Sequence, residues 1–278
     1  MWQRRLICLL FRQMKFFETK PSLKNVYILT YHHVCDEWLP TAARVTTRQF
    51  EKHIHTLLGE DVLFLSETDL LNPERVPEKR KKVMLTFDDG FACLYRHAFP
   101  ILQMYKIPAL VFIVTGYVGQ FSAWDVNFFS RKPTHLNWSE ILEMQRYGIS
   151  FGSHTHTHKN LRAVDSSQVL SELKLSKSIL ENKLGQSVQS ISYPFGRHSE
   201  SIHKQAAELG YHLGFTLAPG NQFRNPLSIP RLGVYLFDVP FFFRLKTSPS
   251  RLRRLEYLKL KITNFCATGT IVTKKILR

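Results

Sequence analysis

The chain has 278 residues, 44% of them hydrophobic and 22% charged, with a formal net charge of +16. That length suits one large α/β domain or two small ones, and the apolar share excludes general disorder. No apolar run approaches the about 20 residues that a membrane-spanning helix needs.

Read in chain order, the first segment, residues 1–25, is basic, with six Lys/Arg against one Glu. It begins like a signal peptide, but its apolar run, residues 6–11, ends at Arg12 and no small-residue cleavage site follows. Residues 26–31 (VYILTY) read as a buried strand ending on His32 and His33. Thr46 and Thr47 cap a helix that carries Phe50, Ile54, Leu57 and Leu58 at helical spacing. Residues 62–65 form a short strand, residues 72–82 a polar loop, and residues 83–87 a strand that stops at Asp88-Asp89-Gly90. A helix over 91–105 and a strand over 109–114 follow. Asn137 starts a helix with Glu140 as capping-box partner, which ends at Gly148. Residues 149–152 are a strand ending at His154, and 165–184 an amphipathic helix stopped by Gly185. Three strands (189–193, 212–216, 228–234) and a helix over 199–209 complete the domain, residues 26–243. A basic extension, residues 244–278, carries ten Lys/Arg against one Glu, which leaves only +2 on the middle of the chain.

Six or seven alternations of strand and helix with short links predict a parallel sheet or a barrel of βα units. In such folds the carboxyl ends of the strands carry the site. The polar motifs fall there. In Thr86-Phe87-Asp88-Asp89-Gly90, adjacent carboxylates leave a strand in different directions, so one can bind a metal while the other stays free as a base. A solvated Asp-Asp-Gly turn is the plain alternative. In Ser153-His154-Thr155-His156-Thr157-His158, the first and last His are four apart, and one helical turn would bring both to one side. Two His with one carboxylate make a three-ligand site with a position left open. His156 then points elsewhere, as a surface or supporting residue. Ser192-Tyr193-Pro194-Phe195-Gly196 is a bend that presents a backbone N–H to a developing oxyanion, or an ordinary turn.

TFDDG, SHTHTH and SYPFG, in this order and after strands, resemble the polysaccharide deacetylase family (carbohydrate esterase family 4) over roughly residues 26–235. The resemblance implies a distorted (β/α)7 barrel as a single catalytic domain. It implies Asp88 as general base, Asp89, His154 and His158 as ligands of one divalent metal, and Tyr193 as the N–H donor to the oxyanion. Zn²⁺ is the expected ion, and such ligands also accept Co²⁺ or Ni²⁺. The substrate would be an N-acetylated saccharide, polymeric or lipid-linked, losing acetate. Many members supply the general acid from a C-terminal Leu-x-His motif, which this chain lacks after Arg231. Another branch opens with a strand ending in a Tyr-His pair, as Tyr31-His32 does here. The acid is therefore expected to be His32, with His33 the competitor and a structural His the alternative. Arg231 lies where the family often has an Arg and is expected to pair with Asp88, a surface Arg being the alternative. Two rivals stand beside this reading, another mononuclear metal hydrolase and a non-catalytic glycan- or membrane-binding module on the same fold.

The basic ends, interleaved with Leu, Ile and Phe, suit an anionic membrane or acidic glycan surface, with solvated tails as the alternative. No RNA-binding signature or paired-Cys zinc module is present, so nucleic acid is not an expected partner. Cys8, Cys35, Cys93 and Cys266 stand apart, with no CxxC pair. They read as free thiols in a reducing compartment, so a cytoplasmic protein peripheral to the membrane is expected.

Overall fold

The computed structural model describes residues 23–39, 41–78, 80–122, 132–218, 223–248 and 257–260; the expectations for the two basic ends fall mostly outside these residues. Ten strands are present: β1 (Val26–Tyr31), β2 (His33–Val34), β3 (Arg44–Val45), β4 (Leu63–Phe64), β5 (Lys82–Phe87), β6 (Ala109–Ile113), β7 (Ile149–Ser153), β8 (Ser190–Ser192), β9 (Leu213–Phe215) and β10 (Leu232–Gly233). The described residues also include the α-helices α1 (Thr47–Gly59), α2 (Glu67–Leu71), α3 (Phe99–Met104), α4 (Trp138–Arg146), α5 (Ser166–Leu184), α6 (Glu200–Glu208) and α7 (Pro240–Lys246), and residues 257–260 are helical. The main sheet is parallel throughout, in the order β10-β1-β5-β6-β7-β8-β9. β4 pairs the first two residues of β5, and β6 pairs its last three. β2 and β3 form a separate small pair.

Period-two alternation sorts the side chains into two cores. Val26, Ile28, Met84, Leu110, Phe112, Leu213 and Phe215 pack together on one face, the inside of the curled sheet. Tyr27, Leu29, Tyr31, Val83, Leu85, Phe87, Val111 and Ile113 face the helices, where they join Phe50, Ile54 and Leu173. This is the single-domain distorted (β/α)7 barrel that the family resemblance implied, with the parallel sheet that the alternation predicted. Burial on both faces explains why the strands read as unbroken apolar runs. It also sets the direction of the next residues, because Thr86 and Asp88 continue the inward series of Met84.

The helix boundaries follow their caps. Thr46 Oγ1 accepts the Gln49 N–H, Asn137 and Glu140 form the reciprocal capping box, and Gly185 closes α5 at φ 66°. The helix expected over residues 91–105 is different. Residues Leu94–Ala98 form a π-helical turn in which the Phe99 N–H reaches the Leu94 carbonyl, and only then does α3 begin. Pro100 has no N–H to continue an α ladder, and its ring would collide with the carbonyl four residues back.

The end of the barrel is tied down by a buried ion cluster. Asp238 is fully buried, with Lys246 Nζ 3.1 Å from Oδ2 and Lys259 Nζ 2.8 Å from Oδ1. The same carboxylate accepts the Tyr235 N–H at 2.8 Å, and the Asp238 carbonyl accepts from His53 Nε2 at 2.6 Å and Gln49 Nε2 at 3.1 Å. Burial pushes His53 down to about 4, so it is neutral, and its ring stacks on Phe243 at 3.9 Å. α7 and residues 257–260 are thereby held to α1. Replacing Asp238 with Ala removes the carboxylate that two lysines share, one of them fully buried. Urea unfolding of the variant should show a loss of about 3–5 kcal/mol. A loss under about 1 kcal/mol would mean the cluster is not what fastens α7.

Candidate active site

Asp88 follows β5 and extends its ladder, its N–H donating to the Tyr31 carbonyl at 2.9 Å. Its side chain points inward and is 2% exposed. Arg231 enters the barrel from the residue before β10 and meets Asp88 in bidentate fashion, Nη1 to Oδ1 and Nη2 to Oδ2, both at 2.7 Å. The guanidinium is saturated by its surroundings. Nη1 also donates to Thr86 Oγ1 at 3.1 Å, Nη2 to Ser192 Oγ at 2.7 Å, and Nε to the Thr216 carbonyl at 3.3 Å. Its plane lies against Phe112 and Phe215, with centroids 5.3 and 5.7 Å from Cζ. Burial alone would raise the Asp88 carboxyl. The charge of Arg231 outweighs that and holds it below the usual carboxylate range.

The chain then reverses. Asp89 has φ 68° and Gly90 φ 64°, a conformation that costs a residue with a Cβ. At Gly90 a Cβ would also lie 2.6 Å from Ile113 Cδ1, so that side chain would have to shift. The turn sends the Asp89 carboxylate away from Asp88 and toward two imidazoles. Its Oδ1 is 3.4 Å from His154 Nε2 and 3.2 Å from His158 Nε2.

The two histidines do not meet through a helical turn, as their spacing suggested. Residues 154–158 are an irregular loop with left-handed Thr155 (φ 65°) and His158 (φ 57°). The buried carboxylate of Glu172 on α5 organises this loop, accepting the His156 N–H at 2.9 Å, the Thr157 N–H at 2.7 Å and the Thr157 hydroxyl. Thr155 Oγ1 accepts the His158 N–H at 3.1 Å. His156 turns away, its Nδ1 3.0 Å from Thr115 Oγ1. His154 Nδ1 donates to the Ser192 carbonyl at 2.7 Å, which fixes the tautomer and leaves Nε2 with its lone pair toward Asp89. His135 similarly places Nδ1 2.8 Å from the Asp89 carbonyl.

Asp89, His154 and His158 therefore offer one oxygen and two nitrogens, all buried and within 4.8 Å of one another. Asp89 Oδ1 is buried with no hydrogen-bond partner. A buried carboxylate oxygen without a donor, facing two oriented imidazoles, fits one divalent cation with an open coordination position.

The remaining candidates separate. His32 is half-buried just after β1, and its Nδ1 is buried without a hydrogen-bond partner. His33 is buried and stacks on Phe91 at 3.9 Å, and burial pushes its pKa down to about 3. Tyr193 is a correction. Its N–H is committed to the Phe215 carbonyl at 3.0 Å, continuing the β8–β9 ladder, so it is not open to an oxyanion. Its ring is wholly buried, beside His198 and His203. The residue of the bend that borders the ligands is Phe195, left-handed at φ 59°, with its ring 4.7 Å from His158.

Sequence reasoning missed Glu172, Ser192, Thr86 and His135. Only Glu172 left a signal. It sits with Val169, Leu173, Ser176 and Leu180 on the buried face of α5, where an unpaired charge would be costly.

Residues 75–214 match the sequence model of the polysaccharide deacetylase family. The Bacillus subtilis (strain 168) protein YxkH, itself a provisional polysaccharide deacetylase, is 32% identical over 200 residues, which are 71% of this chain and 66% of that one. A poly-β-1,6-N-acetyl-D-glucosamine N-deacetylase of Staphylococcus aureus (strain MRSA252) is 30% identical over 183 residues, covering 62% of this chain and 61% of that one. The chain thus spans less than two thirds of either relative's length. Among solved structures, the deacetylase PplD of Streptococcus pyogenes, determined in complex with acetate, superposes with TM-score 0.70 at 28% identity, covering 81% of this chain and 98% of that one. IcaB of Ammonifex degensii shares the fold, with TM-score 0.69 at 23% identity. With its motifs at the strand ends and its three buried donors, the chain belongs to the polysaccharide deacetylase family.

Proposed function

We propose that this chain is a metal-dependent N-deacetylase that hydrolyses the acetamide of an N-acetylated sugar and releases acetate. One observation carries this reading. An ionised, Arg-clamped carboxylate, Asp88, stands beside an independent three-donor set, Asp89, His154 and His158. A divalent cation held by those three residues supplies Lewis-acid polarisation of the acetyl carbonyl and of the attacking water. Zn²⁺ is the ion proposed, and the Asp-His-His set also suits Co²⁺ or Ni²⁺.

The protein groups do the proton work. Asp88 accepts the proton of the water that attacks the carbonyl. Arg231 keeps Asp88 aimed and ionised but is too enclosed to touch substrate. His32, protonated, gives a proton to the departing amine, so the amide C–N bond breaks to acetate and a free amino sugar. We assign the acid to His32 over His33 because His33 is buried, stacked and neutral. The developing oxyanion is assigned to the Phe195 N–H, since that of Tyr193 is engaged. A substrate containing N-acetylglucosamine, polymeric or lipid-linked, is favoured by the activity named for the S. aureus relative. Of the metal-hydrolase rivals, a two-metal phosphoesterase is disfavoured, because the described residues contain only one group of three or more metal-compatible side chains; another mononuclear hydrolase is told apart by acetate release. The rival of a non-catalytic module gives no reason to hold a base ionised at the mouth of the barrel.

A peripheral membrane contact belongs to the same proposal. Leu236, Phe237, Val239, Phe241 and Phe242 are exposed around α7, Phe241 by 63%. Lys259 Nζ lies 5.0 and 5.1 Å from the Phe237 and Phe242 ring centroids. Exposed aromatic and aliphatic side chains, followed in sequence by the basic C-terminal extension, suit an anionic lipid surface.

Asp88→Asn should keep about one metal per chain and lose acetate release by about 10²–10⁴-fold. Full activity in that variant would remove Asp88 from the mechanism. His32→Ala should lower kcat on an N-acetylglucosamine oligosaccharide by about 10²-fold or more, while His33→Ala has the smaller effect. The reverse order would move the acid to His33. The full chain should sediment with phosphatidylserine vesicles at low salt and release at high salt. Phe241→Ser/Phe242→Ser should weaken that binding, and equal binding by the variant would exclude α7 as the contact.

A further inference from the structure

Two cysteines lie beside the site and have no part in the proposed chemistry. Cys35 follows β2, three residues after His32, and Cys93 is four residues beyond Asp89. Both are free and buried, and both pack with Phe91. The Cys35 thiol lies 3.6 Å from the Glu37 carbonyl, and the two thiols are close enough to shift each other's acidity. Both line a cavity of about 150 Å³ that His33, Trp38, Arg96 and Thr134 also border. Among the described residues they form no metal-compatible trio with His33.

The geometry points to a redox modification site in which Cys35 and Cys93 form a reversible disulfide on reaction with a peroxide. The two thiols are unequal, as such a pair requires. The neighbouring Cys93, with Arg44 in support, outweighs burial and the Glu37 and Asp36 charges and lowers the Cys35 pKa; the same contact, then burial, raises that of Cys93 although Arg96 opposes it. Cys35 is thus the attacking sulfur and Cys93 the resolving one. The Cys35 thiolate attacks one peroxide oxygen and the O–O bond breaks. Hydroxide leaves and takes a proton to become water, and Cys35 is left as a sulfenic acid. Cys93 gives up its proton and attacks that sulfur. The S–S bond forms, the S–O bond breaks, and a second water departs. Two thiols lose two electrons in total, and one peroxide becomes two waters.

The crosslink would join the segment that follows His32-His33 to the turn that follows Asp88-Asp89-Gly90, the two segments that carry the proposed acid, base and one ligand. The inference rests on the thiol contact and not on the deacetylase reading.

The test uses the full chain with Cys8→Ser and Cys266→Ser, treated with stoichiometric hydrogen peroxide and mapped by non-reducing peptide mass spectrometry. The expected result is loss of two hydrogens, one peptide pair joined through Cys35 and Cys93, and reversal by dithiothreitol. The crosslinked form should also unfold at a higher temperature, because the bond restricts the unfolded chain. Adding Cys93→Ser should leave a dimedone-reactive sulfenic acid at Cys35, whereas adding Cys35→Ser should leave Cys93 unlabelled. Thiols that stay reduced in the native protein but oxidise in urea would overturn the proposal, as would separate sulfonic acids without a joined peptide. Neither outcome bears on acetate release, so failure here and failure of the catalytic reading are told apart.

Discussion

The two 2.7 Å hydrogen bonds between Arg231 and Asp88 place a pair of opposite charges inside an apolar barrel, and the site is arranged around that placement. Either charge alone would be costly there, on the order of 3–5 kcal/mol when its partner is removed. Thr86, Ser192 and the Thr216 carbonyl complete the guanidinium's hydrogen bonds. These partners come from β5 and from the adjacent β8 and β9, so one side chain bridges β5 to strands that are not its neighbours. Arg231 thereby acts as a brace across the sheet as well as a counter-ion.

Among the described residues, four of the seven left-handed non-glycine positions lie at the same end of the barrel. Asp89, Thr155, His158 and Phe195 are all left-handed without being glycine, one or two in each motif loop. Such conformations persist only where surrounding contacts enforce them. Here the enforcing contacts are visible. Glu172 gathers the N–H groups of the histidine loop, His135 meets the Asp89 carbonyl, and Ser192 orients His154. The effect is to separate two adjacent carboxylates, one turned inward to Arg231 and the other outward to two imidazoles. A site that needs a base and a ligand from consecutive residues requires that divergence.

The cysteine pair adds a second chemistry to the same loops. Its position after the acid-bearing strand and after the carboxylate turn links any change in thiol state to the elements that set the site's geometry.

The sequence alone determined most strands of the main sheet, the order of the motifs and most helix caps, because these depend on period, turn residues and short-range hydrogen bonds; the short β2, β3, α2 and α7 were not read from it, and the strand expected over 228–234 is only Leu232–Gly233. Val26–Tyr31 and Asn137 with Glu140 were legible for that reason. Asp88, Asp89, His154 and His158 were legible as a set because polar clusters interrupt apolar strands. What joins them was not. The histidine pair suggested a helical turn, but a loop held by Glu172, fourteen residues beyond His158, brings the rings together. Tyr193 looked like an oxyanion donor, but its N–H belongs to the sheet, since whether a backbone donor is free depends on which strand lies beside it. Asp238 gave no local sign of its buried lysine partners. In each case the deciding neighbour comes from elsewhere in the chain, and only the closing of the sheet places it there.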